Sequence, residues 1–177
     1  MVAATTEGAL LVGTAADMQA LGRRLAGMLR AGDLVLLAGD LGAGKTTLTQ
    51  GIGAGLGVRG PITSPTFVIA RVHPSLGAGP RLVHVDAYRL AGWDELEDLD
   101  LEASLDQAVT VVEWGTGLVE GLADDRLEIT IRRAHGADAE SSEVRTVRIR
   151  PVGARWTGFA LPGYRIAPAQ PGLAQPG

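Results

Sequence analysis

One lysine stands in this chain against fifteen arginines, and it lies in the stretch Gly39-Asp40-Leu41-Gly42-Ala43-Gly44-Lys45-Thr46-Thr47. The stretch matches the spacing G-x-x-x-x-G-K-[ST] in full. Glycines at such positions let backbone N–H groups turn inward around phosphate oxygens. A helix starting at the loop's end adds unpaired donors and the positive end of its dipole. Lys45 supplies a compact ammonium that can reach terminal phosphates, where the planar fork of a guanidinium would not fit in the same way. The residues from Asp40 to Thr47 are therefore expected to hold nucleotide phosphates, with the Thr46 hydroxyl on Mg²⁺.

Two acids could complete that chemistry. Asp86 follows the apolar run Leu82-Val83-His84-Val85, and Glu113 follows Val109-Thr110-Val111-Val112. Each ends a segment that reads as a buried strand, and ligands in open α/β sheets collect at the carboxyl ends of strands. One division of labour gives Glu113 to the metal and Asp86 to the metal's water or the attacking water. Either acid alone could equally cap a helix or face solvent. The chain contains no asparagine, so the Asn-Lys-x-Asp motif that reads guanine is impossible and adenine is the default base.

The elements that must position these groups follow from periodicity. Leu10 to Val12 can form a short strand. Thr14, with Asp17 three residues on, resembles a capping box. Met18, Leu21, Leu25, Met28 and Leu29 then share one helical face as far as Ala31-Gly32. Asp33 opens an apolar run that is too short for a helix and reads as a strand buried on both faces. Leu48, Ile52 and Leu56 continue the phosphate loop as a helix, although Gly51, Gly53 and Gly55 within it each cost about 1 kcal/mol relative to alanine. A strand is expected from Phe67 to Val72. Seven acids between Asp94 and Asp106 read as an exposed helical face. The segments 126–133 and 144–151 alternate with period two, as the arms of a hairpin do. The fold class expected is α/β: a P-loop-type three-layer sandwich with a mixed, mainly parallel sheet and a C-terminal antiparallel hairpin. Residues 1–152 would form one ATPase domain. Residues 153–177, rich in Pro, Gly and Ala, would form a tail whose last dozen or so residues are disordered.

Composition narrows the class further. At 177 residues there is room for one core. A net charge of −4 argues against a strongly basic nucleic-acid binder, and the absence of cysteine removes disulfides, thiol nucleophiles and Cys-based zinc sites. With neither a secretory signal nor a membrane-length apolar run, a cytoplasmic protein with no membrane association is expected. His73, His84 and His135 do not cluster in sequence, and each reads as structural. Arg132, Arg133, Arg145, Arg148, Arg150 and Arg155 read as decoration of a solvent-facing hairpin.

Taken together and in order, "GDLGAGKTT", "SPTF", "HVDAYRL" and "VEWGTG" resemble the bacterial TsaE (YjeE) family over about Leu10 to Val152. That resemblance implies an ATP/ADP-binding, Mg²⁺-dependent ATPase needed for threonylcarbamoyladenosine on tRNA beside the anticodon. It implies action on a two-subunit transferase complex of TsaB and TsaD type, with tRNA contacted indirectly. It also implies Thr46 and Glu113 as magnesium ligands and Asp86 as required for hydrolysis. Ser64 to Phe67, including Thr66, would form a switch-like loop, and Trp114 would lie beside the nucleotide. Thr14, Ala15 and Arg145 would sit near base or ribose. The turn around "HPSLGAGP" is longer than the family pattern. Two competing readings are a P-loop small-molecule kinase, for which no lid-sized insertion stands out, and a nucleotide-gated binding module without turnover.

Overall fold

A computed structural model describes residues 8–64, 70–89, 105–115, 117, 121–133 and 144–161. Its centre is a parallel ribbon of four strands. Strand β2 (Leu34–Ala38) runs parallel to β5 (Ala108–Glu113) on one side and to β6 (Arg126–Arg133) on the other, and β4 (Arg81–Asp86) runs parallel to β5. All six residues of β5 are buried, as a strand covered on both faces requires.

Antiparallel strands flank this ribbon. Strand β7 (Arg145–Val152) pairs with β6, β1 (Gly8–Val12) pairs with β7, and β3 (Ala70–His73) pairs with β4, giving the order β1-β7-β6-β2-β5-β4-β3. The hairpin expected between 126–133 and 144–151 is thus present as β6 and β7. The residues that would turn it lie outside those described, as do residues 67–69 of the strand expected from Phe67 and most of the acidic stretch.

The helices pack on one face of the sheet. Helix α1 (Ala15–Ala26) is capped by Thr14: its side chain accepts from the Asp17 N–H at 3.1 Å, while Asp17 accepts from the Thr14 N–H at 3.1 Å. Such a cap is worth about 1 kcal/mol. The helix stops sooner than its periodicity suggested. After Gly27 the Met28 and Leu29 N–H groups donate three residues back, to Leu25 and Ala26, so both apolar side chains reach the core from a tight turn instead of from a helix.

Helix α2 (Lys45–Leu56) crosses α1 at very short range. A Cβ on Gly51 would run into the Gln19 carbonyl, and one on Gly22 would lie 2.7 Å from the Ile52 nitrogen. Two of the glycines that weaken α2 as an isolated helix, Gly51 and Gly55, are what allow its backbone to lie against α1, while Gly53 makes room for Ile62, Val58 and Leu82. Both helices then bury Met18, Leu21, Leu25, Leu48 and Ile52 against Val35, Leu37, Val109, Val111 and Ile129 of the sheet. The opposite face carries a smaller cluster formed by Leu34, Leu36, Val83, Val85, Ala108 and Val112.

Packing continues past Val152. A 3₁₀ turn (Ala154–Trp156) buries Trp156, and Leu161 is buried in the same core. Arg155 donates to the Met28 carbonyl at 2.8 Å and to the buried Asp33 carboxylate at 3.1 Å. The end of the sheet remote from the phosphate loop is closed by these contacts. Among the described residues no helix is long and apolar enough to cross a membrane.

Gly51→Ala tests the helix crossing. In an unencumbered helix the change would stabilise by about 1 kcal/mol. Here it should lower the thermal midpoint, with a cost of about 1–3 kcal/mol from overpacking. A raised midpoint in a calorimetric scan would show that the helices do not approach this closely.

Candidate functional site

Parallel register brings the carboxyl ends of four strands to one edge. Leu37 of β2 lies opposite Glu113 of β5, Glu113 lies opposite Asp86 of β4, and Ala38 lies opposite Thr130 near the end of β6. The loop leaving β2 turns at this edge and enters α2 through Gly44, whose φ of 114° is left-handed. Side chains alternate along a strand, so Glu113 projects to the same face as Val109 and Val111, the face on which α2 lies. The result is a cavity of about 510 Å³ lined by Leu41, Gly42, Gly44, Lys45, Thr46, Thr47, Ser64, Asp86, Tyr88, Glu113 and Trp114.

Lys45 is buried, and its ammonium is held by the loop itself. It donates to the Gly39 carbonyl at 2.7 Å and to the Asp40 carbonyl at 3.0 Å, and it lies 3.9 Å from the centroid of the Trp114 ring. Burial pulls its pKa below the ordinary lysine value, while the charges of Glu113, Asp86 and Asp40 oppose that shift. No carboxylate among the described residues forms an ion pair with it. This is a buried cation in direct contact with only two carbonyl dipoles and a ring face, its acids standing farther off, an arrangement suited to an anionic ligand.

Oxygen donors stand opposite. The Thr46 hydroxyl donates to Glu113 Oε1 at 3.1 Å, and Asp86 Oδ1 accepts the Tyr88 N–H at 3.0 Å. A hydroxyl and two carboxylates at one cavity wall are the hard ligands that Mg²⁺ takes alongside phosphate oxygens and water, so the residues present fit that ion.

Trp114 is the non-glycine residue with left-handed backbone among those described, at φ 62°. Such a conformation costs of order 1–3 kcal/mol and persists only where the surroundings impose it. Its N–H donates to the Leu37 carbonyl at 3.1 Å, extending the β2–β5 ladder by one bond, and its ring packs on Tyr88 with centroids 5.3 Å apart. The turn places the indole face over the Lys45 ammonium.

Of the residues singled out from the sequence, Leu41, Gly42, Gly44, Lys45, Thr46, Thr47, Asp86, Glu113 and Trp114 line this cavity together. Asp40 contributes its carbonyl, and Ala43 turns its side chain into the core. Thr66 lies outside the described residues; Ser64, at the start of the same segment, lines the cavity. Thr14, Ala15 and Arg145 do not line it. They sit together at the neighbouring sheet edge, where Arg145 is opposite both Val12 and Arg133.

Two residues read as bland in the sequence are part of the site. Arg133, at the last position of β6, donates to the Gly42 carbonyl at 2.9 Å and so fastens the loop from outside. His84 is fully buried, with Nε2 2.8 Å from Glu113 Oε1. The signal for His84 was present: it stands two residues before Asp86, on the same strand face.

Comparison with known proteins gives the family. The family model for "Threonylcarbamoyl adenosine biosynthesis protein TsaE" matches residues 12–142. The chain belongs to the TsaE family. It is 67% identical over 140 residues to a Streptomyces coelicolor protein described as tRNA threonylcarbamoyladenosine biosynthesis protein TsaE, covering 78% of this chain and 93% of that one. A Mycobacterium leprae protein of the same description is 47% identical, over 74% of this chain and 86% of its own. The crystal structure of YdiB from Bacillus subtilis superposes with a TM-score of 0.67 at 30% identity, covering 88% of this chain and 93% of that one. The fold expected from the sequence, a P-loop-type α/β sandwich with a mixed sheet that is parallel in its middle, is the fold observed; the helical layer on the second face that a three-layer sandwich requires is not among the described residues.

The clasp on the loop can be measured. Gly42 has φ 72°, and a Cβ there would lie 2.6 Å from the Arg133 guanidinium. Gly42→Ala should destabilise by about 1–2 kcal/mol from the left-handed backbone alone. Part of the total loss should vanish in an Arg133→Ala background, and a urea-unfolding double-mutant cycle reads this coupling. Strict additivity would mean that the arginine does not press on the loop.

Proposed function

We propose that this chain binds ATP with Mg²⁺ and hydrolyses it in support of threonylcarbamoyladenosine formation on tRNA, acting in the cytoplasm on a two-subunit transferase complex of TsaB and TsaD type. The observation that carries the reading is the meeting of a dipole-held ammonium with a hydroxyl and two carboxylates across one cavity at the strand ends. The names borne by its relatives supply the pathway.

Each residue has a role that its position supports. The loop amides and the start of α2 cradle phosphate oxygens. Lys45 exchanges its two loop carbonyls for the terminal phosphates, a trade of dipoles for full negative charge that favours the bound state. Thr46 and Glu113 would hold the cation, and Asp86, at the end of the adjacent strand, would orient the attacking water or the metal's water. When bound, Mg²⁺ neutralises charge that develops on the transferring phosphate. The Trp114 ring shields the ammonium from solvent. What supports giving Glu113 to the cation is that it touches the Thr46 hydroxyl, whereas Asp86 touches a backbone N–H.

Lys45→Ala should abolish ATP binding or turnover, read by titration calorimetry and phosphate release. Glu113→Ala should raise the magnesium requirement more than it weakens nucleotide binding itself, and an unchanged magnesium titration would remove Glu113 from the metal. Slow ATP hydrolysis by the isolated protein, raised by the transferase pair, supports the reading. Phosphorylation of a metabolite without any partner would replace it with a kinase.

A further inference from the structure

His84 lies at the centre of β4, and its side chain is entirely enclosed. Its neighbours on that face of the strand are Leu82, which packs in the core, and Asp86, which reaches the cavity. Nε2 lies 2.8 Å from Glu113 Oε1, and Nδ1 is buried with no hydrogen-bond partner. Those two facts favour one tautomer. A proton on Nδ1 would strand a donor in apolar surroundings, which is among the rarer and costlier defects of a folded protein. A lone pair there is tolerated more easily, and the contact with a carboxylate oxygen is read as donation from Nε2–H.

Packing alone would not select this residue. Leu82, two positions earlier, fills the equivalent space on the same strand face with no polar atom to satisfy, whereas histidine leaves one nitrogen unpaired. What the imidazole adds is a donor aimed at one carboxylate oxygen. Glu113 Oε1 thereby accepts from two directions, from His84 across the sheet and from Thr46 at the start of α2. The carboxylate is itself buried and would otherwise be free to rotate about its last bond. With Oε1 held at two points, the plane of the group is set.

We propose that His84 is a positioning residue that orients the Glu113 carboxylate for the cation accompanying the nucleotide. The inference rests on the ATP-and-magnesium reading above. Strand β4 then serves the site twice on one face, through Asp86 at its tip and through His84 one pleat deeper. Histidine is suited to the deeper place because its ring is rigid and its donor lies far enough from the backbone to cross to β5.

The test compares His84→Leu, His84→Gln and His84→Asn with the unaltered protein in calorimetric titrations of an ATP analogue at increasing magnesium, with a metal-free titration and a urea midpoint for each. The glutamine amide nitrogen reaches about as far as Nε2, and the asparagine amide does not. His84→Leu should raise the magnesium needed for half-maximal binding by about 10-fold or more, as loss of an orienting partner does at other metal sites. Its metal-free affinity should stay within about 2-fold of the unaltered protein, and His84→Gln should restore most of the magnesium response. Should the leucine variant fail to fold, His84→Asn must still need more magnesium than His84→Gln. Equal magnesium requirements across all variants, or losses that follow the urea midpoint alone, would overturn the assignment while leaving the nucleotide reading intact. An unaltered protein that binds the analogue with no magnesium dependence would sink both.

Discussion

A buried ammonium held only by dipoles is the constraint around which this molecule is arranged. Lys45 cannot reach water freely, and no acid among the described residues pairs with it closely. Taking such a charge out of solvent is costly, so every group nearby has to lower that cost without cancelling the charge. Two loop carbonyls and an indole face do so. A direct salt bridge would have been cheaper, but it would have cancelled the positive charge that the cavity presents. The acids instead stand back at the strand ends, near enough to hold the lysine pKa up against burial and far enough to leave the ammonium open to an anionic ligand.

The scaffold's peculiarities follow from that arrangement. Trp114 adopts a left-handed backbone because the chain must turn sharply after Glu113 while keeping one more ladder bond to Leu37. Its ring then lands over the ammonium, where cation–π attraction of about 1–2 kcal/mol offsets a cost of similar size. The close crossing of α1 and α2 through Gly22 and Gly51 fixes α2 against the sheet along its length, so the helix start keeps its place beside the strand ends. Arg133 fastens the loop from the other side.

Much of this was legible in the sequence wherever the cause is local. The phosphate loop, the capping box at Thr14, the buried strands and the acids at two strand ends each announce themselves within a few residues, because loop conformation, capping and burial on both faces are short-range demands. What was not legible depends on register and approach between distant segments. Arg133 looked like hairpin decoration because its partner is 91 residues away. Met28 and Leu29 kept helical spacing yet reach the core from a turn, since spacing reports which side chains are inward and not which backbone carries them inward. Gly51 and Gly55 of α2 read as a weakness, yet α1 lies directly on them.

His84 shows why such omissions concentrate at the site. From the sequence a lone histidine in an apolar run is a core residue, and its exposure agrees: it is as buried as Leu82. Only the pairing of Asp86 with Glu113 in parallel register, which carries His84 to within 2.8 Å of Oε1, separates a filler from a group that orients a carboxylate. A hydrophobic residue would satisfy every packing demand at that position and would leave no nitrogen stranded. What the imidazole adds at that position, and packing cannot, is a hydrogen bond to one oxygen of the Glu113 carboxylate at the cavity wall.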